Sequence, residues 1–72
     1  MKQMGPVIIM DPWEAYVVAP VLKEAFQEGL IRDQQKKKGN WHFTCVDAEA
    51  AEELSRRIGE RLAGLAAISD AA

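Results

Sequence analysis

Apolar and polar residues change period along this chain, and each change marks an element. Between Ala15 and Gly29 the apolar positions Ala15, Val18, Ala19, Leu22, Ala25, Phe26 and Gly29 recur at three- and four-residue steps. That is the stripe of a helix with one face on a core. From Trp41 to Val46 the period becomes two: Trp41, Phe43 and Cys45 share one face, while His42, Thr44 and Val46 share the other. The aromatic face is the core face. From Ala51 the helical period returns in Ala51, Leu54, Ile58, Leu62 and Leu65. Ahead of all three, Val7-Ile8-Ile9-Met10 is a short apolar run compatible with a buried strand, and residues 1–6 read as a lead-in.

The boundaries carry their own signals. Asp11 is placed to cap a helix, Pro12 suits its first position, and Glu14 favours the positive end of its dipole. Pro20 falls inside the stripe, where it removes a hydrogen bond and crowds the carbonyl of Tyr16. Two geometries answer this: one helix kinked at Pro20, or two pieces, Pro12–Val18 and Pro20–Glu28. The unbroken stripe favours the kink. Gly29 ends the helical run, Leu30 and Ile31 start an extended segment, and Gly39-Asn40 supplies the positive-φ residues of a tight reversal. Asp47 caps the last helix, on which Glu52 to Arg56 and Glu53 to Arg57 are pairs of opposite charge at i,i+4 spacing.

The expected fold is a small single α+β domain of order β-α-β-β-α, with two helices packed on a β-hairpin or small antiparallel sheet. The domain covers residues 1–65, with 66–72 a frayed or disordered alanine-rich tail. At 72 residues, the core supplies only about 3–5 kcal/mol without staples or oligomerisation. One cysteine excludes an internal disulfide and suits a reducing, cytoplasmic setting. The apolar run before Asp11 is too short for a signal peptide, and no stretch approaches the roughly 20 apolar residues of a membrane span. A soluble protein with no membrane partner is expected.

Net charge is −2, but its distribution is uneven. Residues 1–31 carry −2, residues 32–38 carry +3 from Arg32, Lys36, Lys37 and Lys38 against Asp33, and residues 47–61 carry −2. The positive charge therefore lies on the hairpin, unlike that of a generally basic nucleic-acid coat. Enzyme chemistry finds no inventory here. His42 and Cys45 lie three apart on one strand and face opposite sides, so they make neither a nucleophile–base pair nor, alone, a metal site. The glycines at 5, 29, 39, 59 and 64 are too scattered for a phosphate loop, and Glu52 and Glu53 read as a solvated face. No catalytic residue, metal or cofactor is expected.

Two binding surfaces remain. Arg32, Lys36, Lys37, Lys38, Asn40 and Trp41 would meet a phosphate backbone at the hairpin tip, although polar tips rich in lysine are also common without a ligand. Trp13, Tyr16, Val17 and Val21 crowd the outer side of the first helix and would anchor a protein partner, unless they only cover sheet edges. Gly59 and Ala63 would let two last helices approach closely in a homodimer, which would also offset the thin core.

Residues 20–62 resemble the recognition-helix-plus-wing half of winged-helix DNA-binding domains. The likeness lies in Leu22, Ala25 and Phe26 on the helix, Gly29-Leu30-Ile31 at the junction, Lys36 to Asn40 at a basic turn, Thr44 near the strand end, and a further helix from Asp47. It implies a small nucleic-acid-binding or regulatory accessory protein. The competing expectation is a dimeric protein-interaction module, such as a phage or plasmid type inhibitor, antitoxin or adaptor, using the Trp13/Tyr16 face.

Overall fold

The computed structural model describes the backbone of residues 1–71 and the side chains of residues 1–66. Its elements are β1 (Lys2–Met4), β2 (Val7–Met10), α1 (Pro12–Val17), α2 (Ala19–Gln27), β3 (Ile31–Lys37), β4 (Asn40–Cys45) and α3 (Ala48–Ala71). The four strands form one antiparallel sheet of order β1-β2-β4-β3. The α+β class and the helices on a small antiparallel sheet are as expected, but the order is β-β-α-α-β-β-α.

Two local corrections account for the difference, and a third moves the hairpin turn by one residue. The lead-in is a strand. β1 turns through Gly5, at φ +58°, and pairs along β2 from Lys2↔Ile9 to Met4↔Val7. Its helix-side residue Gln3 accepts a 3.0 Å hydrogen bond from the Ser55 hydroxyl of α3.

At Pro20 the helix is interrupted rather than kinked. The break falls at Val18, with φ −100° and ψ +13°. The Val18 N–H closes the first helix on the Glu14 carbonyl at 3.0 Å, and its carbonyl accepts from Val21 and Leu22 at 2.9 and 3.1 Å to start the second. Pro20 thus stands in the first turn of α2, where its missing N–H leaves no intrahelical bond unmade. The apolar stripe survives because Val18 is itself fully buried.

The hairpin turn is centred on Lys38-Gly39, one residue earlier than Gly39-Asn40. Lys37 pairs with Asn40, and the two central residues have φ +52° and +81°. Positive φ at both is the requirement of a type I′ turn, whose twist matches that of the strands.

The three helices pack on one face of the sheet. Ile8, Met10, Phe43, Cys45 and Ile31 from the strands meet Val18, Leu22 and Ala25 of the α1–α2 segment and Ala50, Ala51, Leu54 and Ile58 of α3. The opposite face carries half-buried Val7, Ile9, His42 and Thr44. Three predicted stripe members, Ala19, Phe26 and Gly29, are exposed instead. α1 opens with a complete capping box: the Glu14 N–H donates to Asp11 Oδ1 at 2.8 Å, and Glu14 Oε1 accepts from the Asp11 N–H at 3.2 Å. Asp47 caps α3 by accepting from the Ala50 N–H at 2.7 Å.

α3 continues through Gly59 and Gly64 to Ala71; of the predicted tail, Ala72 and the side chains from residue 67 onward lie outside the described residues. At about 1.5 Å per residue, its 24 residues span nearly the whole 37 Å length of the molecule. No helix among the described residues is long and apolar enough to cross a membrane.

Candidate functional site

The antiparallel register distributes the hairpin residues over two faces. Lys36 lies opposite Trp41 on the helix side, whereas Lys37 and Asn40 pair on the other side, and Lys38 occupies the turn between them. The three lysines therefore fan around the tip instead of forming one patch. Arg32 is not among them. It stands at the irregularity between Ile31 and Asp33, at the far end of β3, roughly 13 Å of strand from Lys36. Four residue steps of extended chain part them, and only the shared sign of their charge groups Arg32 with the tip in the sequence.

The Lys36 ammonium lies 5.8 Å from the centroid of the Trp41 ring, within cation–π range. Trp41 stacks at 22° against Phe43, with centroids 6.1 Å apart, and Phe43 in turn meets Phe26 of α2 edge-on at 6.4 Å. This aromatic row forms the wall of an open groove of about 560 Å³ between the hairpin and the α1–α2 segment. Tyr16, Lys23, Phe26 and Gln27 line it from the helices, and Gln34 and Trp41 from the strands. No carboxylate is among the groove-lining residues. Of this site the sequence reading captures Trp41, Lys36 and Tyr16 but misses Phe26, Lys23 and Gln34. The period-two pattern places Trp41 on the helix side, but only the path of α2 across the hairpin puts Phe26 and Lys23 beside it.

The predicted protein-binding patch on α1 is divided. Tyr16, 80% exposed, faces the aromatic groove. Trp13, 67% exposed, and half-buried Val17 line a second groove of about 470 Å³ with Leu62, Leu65 and Ala66 of α3. Val21 is half-buried against the core and leaves the patch altogether. Gly59 and Ala63 are both exposed on α3.

Charge is distributed asymmetrically. On α3, Arg56 binds Glu53 and Glu60, each at 2.6 Å, and Arg57 binds Glu53 at 3.0 Å and reaches across to Glu28 at the end of α2 at 2.5 Å. The expected Glu52–Arg56 pair does not form, because Arg56 is held between Glu53 and Glu60. Arg57 hydrogen-bonding holds the Glu28 carboxyl below its usual range, and Arg56 and then Arg57 do the same for Glu53. By contrast, no ion pair among the described residues involves Lys36, Lys37 or Lys38.

Cys45 is 1% exposed in the core. Burial, and then the Asp47 charge, push its thiol up, away from the reactive thiolate. His42 stands on the opposite face of β4, as the alternation requires. Among the described residues no cluster of His, Cys, Asp or Glu is arranged to hold a metal ion. The likeness to a winged helix rests on the quoted residues alone: no protein-family model, curated protein or solved structure matches this chain.

Proposed function

We propose that this chain is a small cytoplasmic nucleic-acid-binding protein of accessory or regulatory role, without catalytic activity, which contacts phosphates through the tip of the β3–β4 hairpin. One observation carries the reading: the domain pairs Arg56 and Arg57 of α3 with Glu28, Glu53 and Glu60 but leaves the adjacent Lys36, Lys37 and Lys38 without ion-pair partners among the described residues. On a domain of net charge −2 these three consecutive lysines are a local focus of positive charge, whereas Lys2, Lys23, Arg32 and Arg61, also without ion pairs among the described residues, are scattered along the chain. Such a focus attracts a polyanion locally while the rest of the surface does not.

The test is fluorescence anisotropy with duplex DNA and single-stranded RNA across a salt series, against a Lys36→Glu/Lys37→Glu/Lys38→Glu variant. Neutralising about three phosphates gives a log–log salt slope near −2.7 on a duplex. Binding with that dependence, lost in the variant, supports the reading. No binding even at low salt refutes it.

A second reading, a dimeric protein-interaction module, draws on the exposure of Trp13 and Tyr16. Under it, Trp13→Ala or Tyr16→Ala abolishes association and the lysine variant leaves it intact. Gel filtration with light scattering decides the homodimer directly.

A further inference from the structure

The groove beside the basic tip joins aromatic surface to positive charge, and the tip alone does not use it. Tyr16 is 80% and Phe26 41% exposed, a large aromatic area to leave in water on so small a domain. Both face the same groove as Trp41, and Lys23 stands on its helix side. Lys36 covers Trp41 from the hairpin, held there by the aromatic ring and by no carboxylate. An anionic chain passing the tip would find lysine on both borders and rings between them.

Resting on the nucleic-acid reading above, we infer that the ligand is a single strand, whose bases stack in the Tyr16–Phe26–Trp41 groove while its phosphates follow Lys23 and Lys36 to Lys38. Charge selects the occupant. The groove walls hold lysine and no acid, so they suit a polyanion better than an uncharged apolar peptide. Shape selects single strands over duplexes. A concave space of about 560 Å³ admits splayed bases, whereas a duplex keeps its bases stacked inside and offers only phosphates. The fan of lysines agrees with this, since Lys36 and Lys37 point to opposite faces of β3, and a flexible strand turns around such a tip more readily than a stiff duplex.

The experiment uses the full chain carrying Trp13→Phe, so that Trp41 is the remaining tryptophan and reports on the groove. Four probes are titrated at fixed low salt: a single-stranded octanucleotide, the duplex of the same sequence, an abasic octamer with the same phosphates, and an extended peptide of alternating leucine and glutamate. Stacking predicts that the single strand binds about 5- to 150-fold tighter than the abasic octamer for each base engaged. It also predicts quenching of Trp41 by the single strand alone. Tyr16→Ala, at a position too exposed to threaten the fold, lowers single-strand affinity at least about fivefold and leaves abasic binding unchanged. Phe26→Leu, which keeps the packing on Phe43, does the same.

Equal, lysine-dependent binding of single strand, duplex and abasic octamer with Trp41 unquenched would overturn the stacking inference and leave the phosphate reading standing. Failure of all three at low salt would overturn both. Quenching of Trp41 by the peptide, with no response to any oligonucleotide, would assign the groove to a protein partner instead.

Discussion

The hairpin turn sets stability against binding at a single residue, Lys38. A side chain with a Cβ in the left-handed region clashes with the following carbonyl, at a cost of about 1–2 kcal/mol. Lys38 sits there at φ +52°, in a turn where asparagine, aspartate or glycine is the usual occupant. Replacing it with glycine removes that strain. Glycine also gains freedom in the unfolded chain, which takes back roughly 0.5–1 kcal/mol. The net expectation for Lys38→Gly is a gain of about 0.5–1 kcal/mol. In a domain of this size each kcal/mol moves the melting temperature by about 4–8 °C, so the midpoint rises by about 2–8 °C. Gly39 provides the opposite sign. A Cβ there would meet nothing within 4 Å, so Gly39→Ala is penalised through the backbone alone, at φ +81°, by about 1–2 kcal/mol. Thermal and urea unfolding of both variants measures these terms. Under the proposed function Lys38→Gly also weakens oligonucleotide binding and makes the salt slope shallower by about 0.7 for a single strand or 0.9 for a duplex. A lowered midpoint for Lys38→Gly, or an unchanged one for Gly39→Ala, would refute the turn geometry. Higher stability with undiminished binding would remove Lys38 from the contact surface.

Three further outcomes follow from the packing and electrostatics. Ile58→Ala opens a cavity where the side chain is fully buried, at about 2–5 kcal/mol, against a total of about 3–5 kcal/mol, so circular dichroism should find the variant largely unfolded at 37 °C. Because Glu28 and Glu53 titrate below their ordinary 4.5 when folded, their contribution is present above pH 4.5 and is lost as pH falls through their folded values. Urea midpoints of wild type and Arg57→Gln should therefore differ at pH 7 and converge as pH falls below 4.5; a constant difference would show that Arg57 acts by packing. The Cys45 thiol should react with a maleimide only as fast as the chain unfolds, and a rapid native-state reaction would contradict its burial.

Much of the fold is legible because local chemistry and burial agree. Asp11 followed by proline and, at N3, glutamate specifies the start of α1, and Asp47 does the same for α3, since each carboxylate meets an amide within three residues of itself. The alternation from Trp41 to Cys45 places Phe43 and Cys45 in the core and His42 outside it, because strand geometry fixes which side chains share a face. Ala51, Leu54 and Ile58 are buried as their spacing requires.

What the chain's local pattern leaves open is whatever depends on a distant partner. β1 is three exposed residues without periodicity, and it becomes a strand only because β2 lies alongside with one edge free. The division at Val18 turns on where the α1–α2 segment meets the sheet, since a kinked helix would carry the same stripe. The bulge at Arg32 belongs to the β3–β4 ladder, not to either strand alone. The groove is the largest such case. Tyr16, Lys23, Phe26 and Trp41 come from three elements, and their meeting depends on the angle at which α2 crosses the hairpin. The sequence by itself determines where helices and strands begin, which faces are apolar and where positive charge collects, because these are properties of neighbours along the chain. Tertiary structure alone decides which exposed rings face the same space as that charge, because that is a property of neighbours across it.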